Sequence, residues 1–421
     1  MFLSTLRLRR RRRAEPAPEP PHAELLNVEK LEELARTLAA RLTARNRRGR
    51  PAHLRRLREI DRRLRRAYEV VAGDVHEGQT LAPAAEWLLD NFHLVEAEVP
   101  RVVHDLPAAY YRELPKLVSR EQDGRSRIEA MAEELLRHSD SRLDADRMAR
   151  FLAAYQTVSP LTLGELWAWP SALKLALLES LRRTADSIVA ARTNRLAADR
   201  YLAPLEEGRD LPELPASLPG SFVVPLVQRL REFGARVSSL RSTLEDRLRA
   251  QGVSIETVIL AETQRQATEQ VSMANVFASL RLSSNLDWPT LVERVSLVEQ
   301  VLQRDPAGVY GRMDFLSRDR YRRAVEELAE PTGEAQVAVA LRCVESARLA
   351  TEQATRDERA QHVGYHLIGG GRRAFERDVA HVPGLGQLLR RLLFRNATVL
   401  YLGAIGLLTG VGVALAVAYG R

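Results

Sequence analysis

Residues 398–420 read TVLYLGAIGLLTGVGVALAVAYG and contain no charged side chain. With Asn396 and Ala397 the uncharged run has about 25 residues, or ~37 Å as an α-helix, which is enough to cross a bilayer. A helix satisfies its own backbone hydrogen bonds and is therefore stable in hydrocarbon. A buried core helix of a soluble protein is the alternative, but such helices are usually shorter than this run. The stretch 396–420 thus predicts a transmembrane helix.

Basic residues are concentrated on the N-terminal side of this run. The arginines that precede it are Arg372, Arg373, Arg377, Arg390, Arg391 and Arg395. Only Arg421 follows it, so the positive-inside rule predicts that the N-terminal part is cytoplasmic. The single cysteine, Cys343, excludes an internal disulfide and agrees with that location. Because Cys343 lies within an apolar helical pattern, we interpret it as a core residue and not as a nucleophile.

The net charge of +8 arises in the first part of the chain. Residues 1–66 contain nineteen arginines and Lys30 against eight carboxylates, so the remainder is slightly acidic. Such a segment attracts anionic lipid or nucleic acid. No aromatic residue lies between Phe2 and Tyr68, so the stacking faces typical of single-strand binding are missing. Anionic lipid is therefore the favoured partner of this segment, and nucleic acid is disfavoured.

The periodicity of apolar residues predicts an all-α protein. In residues 54–71, Leu54, Leu57, Ile60, Leu64 and Val71 recur at helical spacing with arginines opposite. Composition shifts divide the chain into a disordered arm, a helical domain, a proline-rich linker, a second helical domain and the membrane helix. These correspond to residues 1–22, 23–203, 204–225, 226–395 and 396–420.

Local signals predict several helix boundaries. Pro100, Pro107 and Pro115 are expected to segment the chain, because proline removes a backbone donor. Thr162 and Glu165 form a capping box. The leucines between Leu226 and Leu248 predict one long helix that Gly252 ends. The D-x-D pair Asp144 and Asp146 precedes a helical pattern and is interpreted as a cap, not as a metal site.

The most distinctive polar run lies within residues 261–329. Asp287 ahead of Trp288 predicts a helix start, and DPAGVYGRMDFLSRDRYR, residues 305–322, predicts a loop that leads into another helix. We interpret the mixture of acids, bases and an aromatic residue as a hydrogen-bonded loop network or a polar docking surface. The candidate docking residues are Trp288, Asp305, Tyr310, Arg312, Asp314, Arg318, Asp319 and Arg320.

Two further patterns have a functional and a structural interpretation. Gly369, Gly370 and Gly371 before two arginines suggest a phosphate cradle, but the spacing matches neither known glycine-rich fingerprint, and a helix-ending turn is favoured. Trp167, Trp169 or Tyr310 could stack on a sugar ring, although core packing is the commoner role of such residues. No catalytic, cofactor-binding or metal-binding residue is predicted.

Several long motifs together resemble the N-terminal region of the bacterial cyclic β-1,2-glucan synthase family. They include WLLDNFHLVEAEVPRVVHDLPAAYYRELPKL from residue 87, the run LDWPTLVERVSLVEQVLQRDPAGVYGRMDF from residue 286, and HVGYHLIGGGRR from residue 362. The resemblance spans roughly residue 87 to the apolar helix. It implies a large inner-membrane enzyme that transfers glucose from UDP-glucose, whose catalytic parts are not in these 421 residues.

We therefore expect a membrane-anchored, non-catalytic region of such a synthase, truncated after its first membrane helix. Its partners would be the bilayer and the catalytic part of the same or a separate chain. The rival hypothesis is an independent single-span scaffold that binds anionic lipid or a partner protein through its arginine-rich segment.

Overall fold

The computed structural model describes residues 24–45, 51–118, 124–206, 209–232, 238–353, 358–380 and 397–420. Of the described residues, 78% are helical and 1% lie in strands, which confirms the all-α prediction. Two short strands, β1 (Ala44–Arg45) and β2 (Lys116–Leu117), form an antiparallel pair with Ala44 opposite Leu117. The predicted arm, residues 1–22, lies outside the described residues.

One compact unit, unit 1, comprises the described parts of Met1–Ser159 and Trp167–Leu291. Its helices are α1 (Val28–Arg41), α2 (Ala52–His76), α3 (Pro83–Asp105), α4 (Ala108–Glu113), α5 (Arg127–Arg137), α6 (Ala145–Gln156), α7 (Leu163–Glu206), α8 (Gly220–Glu232), α9 (Ser238–Ala250), α10 (Ile255–Asn285) and α11 (Trp288–Val295). The first turn of α7 and the end of α11 belong to the second unit.

Helix α2 turns one apolar stripe toward the interior of unit 1. Leu57, Ile60, Leu64 and Val71 are buried at helical spacing, as the sequence pattern predicts, whereas Leu54 is half-buried. The stripe packs α2 against α3. The rest of the circumference of α2 is left to polar residues, most of them arginines.

Pro100 does not end a helix, so this prediction was wrong. Helix α3 runs through Pro100 without interruption. A proline inside a helix costs ~3 kcal/mol. However, Val95 and Val102 are buried on either side of it, and burial of each such side chain contributes ~1.5–3 kcal/mol. One continuous helix is therefore favourable, whereas Pro107 and Pro115 lie between helices as predicted.

The proline-rich segment predicted as a linker is only partly irregular. Helix α7 extends to Glu206 and α8 begins at Gly220, so the described non-helical part is residues 209–219. Leu214 from this part shares one hydrophobic cluster with Tyr201 and Phe222. The helices on both sides of residues 209–219 thus contribute to one hydrophobic core. The limits of the compact units therefore differ from the predicted domain limits.

The single helix predicted between Leu226 and Leu248 corresponds to α8 and α9. Residues 233–237, which join them in sequence, lie outside the described part of the chain. Gly252 follows α9 with a φ of 79°, a left-handed conformation that glycine adopts without strain. Its predicted role at the end of this helical stretch is confirmed.

The second compact unit, unit 2, comprises Pro160–Leu166 and the described parts of Val292–Arg421. Its helices are α12 (Leu297–Leu302), α13 (Phe315–Thr332), α14 (Gln336–Glu352), α15 (Val363–Leu367), α16 (Arg372–Asp378) and α17 (Ala397–Tyr419), with 3₁₀ turns at Tyr310–Arg312 and Glu358–Gln361. Helix α14 lies at the centre and packs against α12, α13 and α15. Cys343 is completely buried in α14, as predicted.

Helix α17 is the one described helix that is long and apolar enough to cross a membrane, judged by length and composition, over Tyr401–Tyr419. Leu402, Leu407 and Leu408 are exposed on it.

The helix caps predicted at Thr162 and Asp144 are present. Glu165 N donates to Thr162 Oγ1 (3.1 Å), Thr162 N donates to Glu165 Oε2 (3.0 Å), and Arg147 N donates to Asp144 Oδ1 (2.9 Å).

Candidate functional site

The eight candidate docking residues do not all belong to one unit. Trp288 lies in unit 1, where it is the first residue of α11 and its indole Nε1 donates to the carbonyl of Ser283 (2.8 Å). Asp287 precedes it and accepts a hydrogen bond from Thr290 N (3.3 Å), which confirms the predicted helix start. The other seven candidates lie in unit 2.

Asp305 is a buried acceptor at the end of α12. Its Oδ2 accepts hydrogen bonds from the backbone N–H groups of Val309 (3.0 Å) and Tyr310 (3.1 Å), and its Oδ1 accepts one from Val363 (3.1 Å). His362 Nδ1 lies 2.8 Å from Oδ2. Burial by itself raises the pKa of Asp305, but these hydrogen bonds outweigh it and hold the pKa below its usual value. Asp305 is therefore a charged residue that joins the loop after α12 to the start of α15.

Tyr310 is completely buried beside a second carboxylate, Glu299. Its hydroxyl donates to Glu299 Oε2 (2.7 Å), and Gln303 Nε2 donates to Oε1 of the same carboxylate (2.7 Å). Burial raises the pKa of Tyr310 far above its ordinary value, and the hydrogen bond to Glu299 raises it further. Tyr310 is thus a neutral donor that helps to solvate a buried charge.

Two arginines of α13 complete the set around Glu299. Arg322 Nη1 donates to Glu299 Oε2 and to Glu293 Oε1, both at 2.7 Å. Arg318 Nη2 donates to Glu293 Oε2 (2.9 Å), and its Nη1 lies 3.5 Å from Glu299 Oε1. Arg322 is buried, yet the two carboxylates keep its pKa above the usual value. Glu299 and Arg322 are buried, and Glu293 and Arg318 are half-buried beside them. We call these four residues the buried ion cluster.

The remaining candidates border this cluster or face away from it. Asp319 Oδ2 lies 2.8 Å from Arg323 Nε, and its Oδ1 lies 3.7 Å from Arg322 Nη2. Asp314 caps α13, because Ser317 N and Oγ both donate to its carboxylate, and these bonds lower its pKa. Helix α13 therefore begins at Phe315, within the segment predicted as a loop. That prediction was wrong for residues 315–322.

Arg312 and Arg320 are exposed, in contrast to the buried ion cluster. Leu316 is 73% exposed in the same segment. Leu316, Arg320 and Arg323 recur at spacings of four and three, so they share one face of α13. We call Arg312, Leu316, Arg320 and Arg323 the α13 patch.

Sequence reasoning did not select Glu293, Glu299, Arg322 or His362. One usable signal was present, because Ser296 and Glu299 have the spacing of a capping box. Glu299 N does donate to Ser296 Oγ (3.2 Å), but the Glu299 carboxylate binds Tyr310 and Arg322 instead of the free N–H groups of the helix. The Ser296–Glu299 spacing therefore indicates the start of α12 but does not indicate that the Glu299 carboxylate binds Tyr310 and Arg322.

Gly364 provides the space that His362 and Tyr321 occupy. A Cβ atom at this position would lie 2.8 Å from His362 Nε2 and 2.7 Å from Tyr321 Cζ. The Tyr321 hydroxyl itself lies 3.3 Å from His362 Nε2. Glycine is thus required here by close approach, and any larger residue must displace the tyrosine ring.

The glycine triplet has a similar packing role. Cβ atoms added at Gly369 and Gly371 would lie 2.9 Å from the Tyr365 carbonyl oxygen and 2.5 Å from Tyr365 Cε1, respectively. Gly371 N donates to the Tyr365 carbonyl (3.1 Å) in the turn between α15 and α16. The helix-ending turn predicted for these glycines is confirmed, since they let the chain fold closely over Tyr365.

The side chains described above are held by internal hydrogen bonds and ion pairs. Among the described residues, no group of three or more His, Cys, Asp or Glu side chains could hold a metal ion. Burial raises the pKa of Cys343 well above its usual value, which disfavours the reactive thiolate. Trp169 and Tyr310 are buried, so neither ring presents a face to a sugar.

Comparison with known proteins gave one informative similarity. No protein-family model matches this chain. The chain is 32% identical over 346 residues to the cyclic beta-(1,2)-glucan synthase NdvB of Rhizobium meliloti (strain 1021), and the match covers 79% of this chain. The matched part of this chain therefore belongs to the cyclic β-(1,2)-glucan synthase family. The match spans 12% of the length of the relative, so it concerns one segment of a much longer protein.

Proposed function

We propose that this chain acts as a membrane-anchored, non-catalytic region of a cyclic β-1,2-glucan synthase. The similarity to the Rhizobium meliloti synthase is the observation that carries the proposal, because it extends over most of the chain. The internal pairing of the buried ion cluster supports a structural role for these charged residues. In this proposal, transfer of glucose from UDP-glucose takes place in another part of the enzyme.

Anchoring is assigned to α17. Its apolar stretch Tyr401–Tyr419 is long enough to span the hydrocarbon core, and the arginines that precede it in sequence support a location of unit 2 on the cytoplasmic side of the inner membrane. A charge at the centre of the span tests this assignment. Leu408→Lys should release the 421-residue chain from carbonate-washed membranes, because a central lysine costs ~2.5–3.5 kcal/mol.

Leu349→Lys is the control for this substitution, since Leu349 is 42% exposed on α14 of unit 2. It introduces the same charge outside the span and should leave the chain in the washed membranes. Release of the unsubstituted chain by the same wash would rule out the anchor.

Docking to the glucosyl-transferring part is assigned to the α13 patch. The exposed arginines of the patch suit an acidic partner surface, because the charges are then matched, and Leu316 adds one apolar contact. The buried ion cluster lies beneath the patch and holds α13 against α12 through Glu299. Three of its residues, Leu316, Arg320 and Arg323, therefore lie on a helix that this contact holds in place.

The docking test uses Leu316→Asp with Arg320→Glu, introduced into the gene that encodes this sequence. We expect at least a tenfold fall in β-1,2-glucan synthesis from UDP-glucose by isolated membranes, equivalent to ~1.4 kcal/mol of docking energy. The matched control is Leu349→Asp with Arg348→Glu, a pair that is likewise exposed on α14. Unchanged synthesis with the patch variant, at equal protein level, would remove the docking role.

A further inference from the structure

The arginines of α2 fall into two groups with different surroundings. Arg55, Arg58, Arg62 and Arg66 follow one another at spacings of three, four and four residues, so they form a stripe ~17 Å long on one face of the helix. All four are exposed. We call these four residues the α2 stripe.

The α2 stripe lies on the side of α2 opposite its buried residues. Each of its arginines lies two positions from a buried residue of α2, as Arg55 does from Leu57 and Arg58 from Ile60. Two residues correspond to about 200° around an α-helix. Because the buried face fixes the rotation of α2, the stripe occupies the side opposite the core.

The arginines outside the stripe are engaged in ion pairs. Arg56 Nη2 lies 2.6 Å from a Glu133 oxygen, and Arg63 Nη1 lies 3.0 Å from Asp186 Oδ2. Arg65 is paired in the same way with Asp61 (3.0 Å) and Glu96 (3.1 Å). These cations are thus neutralised by neighbouring helices or by α2 itself.

Three of the four stripe arginines lack this neutralisation. Arg55 and Arg66 make no ion pair with any described residue, and Arg58 Nε donates only to the backbone carbonyl of Leu54 (3.2 Å). Arg62 shares one carboxylate, Glu59, with Arg63. Four guanidinium groups at short spacing repel one another, so an external anion would stabilise the stripe.

We propose that the α2 stripe binds the phosphate groups of anionic phospholipids at the membrane surface. The proposal rests on the proposed function for the presence of a nearby bilayer, and it goes beyond it by adding a second membrane contact. Guanidinium groups bind phosphate through two parallel N–H donors, and each exposed cation near an anionic surface adds to attraction. Nucleic acid fits less well, because Tyr68, the aromatic residue nearest in sequence, stacks on Phe92 (4.4 Å) within unit 1.

The test measures how close α2 lies to lipid headgroups. Ala52→Cys places a fluorescent label at the exposed first residue of α2, while the buried Cys343 stays unlabelled in the native protein. The full chain is reconstituted into phosphatidylcholine vesicles with or without phosphatidylglycerol, each containing a headgroup quencher. We expect stronger quenching with phosphatidylglycerol, and loss of that difference at ~1 M salt, where the screening length is ~3 Å.

The stripe is then neutralised by Arg55→Gln, Arg58→Gln and Arg66→Gln. The equilibrium constant between the lipid-bound and free forms of α2 should fall roughly a hundredfold. The control is Arg241→Gln, Arg249→Gln and Arg348→Gln, which changes the net charge equally at exposed positions of α9 and α14. Equal loss in the control, or unchanged quenching in the stripe variant, overturns the proposal.

Two further outcomes are distinguishable. Duplex DNA that binds the chain through the stripe, with phosphatidylglycerol having no effect on quenching, would assign the surface to nucleic acid and overturn the lipid proposal. If the carbonate wash removes the chain from vesicles, the assignment of α17 as an anchor is contradicted, but the proposal for the α2 stripe is not. In that case flotation with phosphatidylglycerol vesicles tests the stripe. Flotation that is lost in the stripe variant supports the lipid proposal, and absence of flotation refutes it.

Discussion

Arg322 on α13 of unit 2 and the α2 stripe of unit 1 occupy opposite environments. Arg322 is 2% exposed and is shared between two carboxylates, whereas Arg55 and Arg66 are exposed and have no ion pair among the described residues. Both helices have an arginine-rich sequence with interspersed acids. The residue type therefore does not reveal whether a cation stabilises the fold or remains available to a partner.

The difference follows from the cost of removing a charge from water. A buried guanidinium must find carboxylates within the protein, because an unpaired buried charge is strongly unfavourable. An exposed one stays hydrated and gains little from a surface ion pair. Substitutions in the buried ion cluster are thus expected to change stability, and those on the α2 stripe to change binding.

The largest effect is expected from Arg322→Gln. It removes the buried cation that Glu293 and Glu299 share and leaves them only Arg318, which should cost ~3–5 kcal/mol of stability. Cys343 is the single cysteine and is buried in unit 2, so the rate at which a thiol reagent modifies it in the full chain reports opening of this unit. We expect this rate to rise by about 150- to 5,000-fold.

Arg323→Gln is the matched control, because the neighbouring Arg323 side chain is 73% exposed. Its effect should stay within ~0.5 kcal/mol. Similar labelling rates for the two variants would show that the buried ion cluster does not stabilise unit 2.

A smaller effect is expected from Gly364→Ala. The new methyl group meets the Tyr321 ring and His362, and such overpacking costs ~1–3 kcal/mol. Cys343 labelling again measures it, because its Sγ atom lies 3.5 Å from the carbonyl of Val363, next to the substitution. Gly370→Ala is the control, since its Cβ would lie 3.4 Å from the nearest Tyr365 atom, an ordinary contact. Equal labelling of both variants would contradict the close approach described for Gly364.

The contribution of Asp305 should depend on pH. Its pKa is lower in the folded protein than the ordinary value of 3.8, so its ionised form stabilises the fold. This stability is present above the unfolded-state pKa and is lost as the pH falls through the folded-state pKa. The urea midpoints of the original chain and of Asp305→Asn should therefore differ most near neutral pH and converge below pH 3.8. A constant difference across that range would argue against a charged Asp305.

The smallest effect on stability is expected from the three glutamine substitutions of the α2 stripe. Exposed arginines without ion pairs contribute little to folding, so each change should alter the unfolding free energy by less than ~0.5 kcal/mol. Thermal unfolding and Cys343 labelling of the full chain measure this. A large loss of stability would show that the stripe makes contacts essential to unit 1. It would contradict the difference between the stripe and the buried ion cluster.

Much of the local structure could be predicted because it depends on residues within one or two turns. The caps at Asp144, Thr162 and Asp287 each involve a partner three residues away, and the buried stripe of α2 follows from helical spacing. The continuity of α3 through Pro100 could not be predicted in this way. It depends on burial of side chains against other helices, such as α10.

The candidate site was predicted only as a region. The sequence placed polar residues near α13, and the structure divides them into two groups. One group is buried and comprises Asp305, Tyr310 and their partners, and the other is the exposed α13 patch. Glu299 and His362 were missed because their partners are distant in sequence, as for His362 and Asp305, which are 57 residues apart. Nothing in the local pattern of either residue distinguishes such a pairing from solvent exposure.

The sequence by itself determined the helical class, the apolar helix near residues 401–419, the helix caps and the resemblance to cyclic β-1,2-glucan synthases. These features are encoded in periodicity, composition and short motifs, which are independent of tertiary contacts. Only the tertiary structure decided which arginines are buried and paired, why Gly364 and the glycine triplet lack side chains, and how the chain divides into two units. The physical reason is that burial and charge pairing are properties of contacts between segments that only folding brings together.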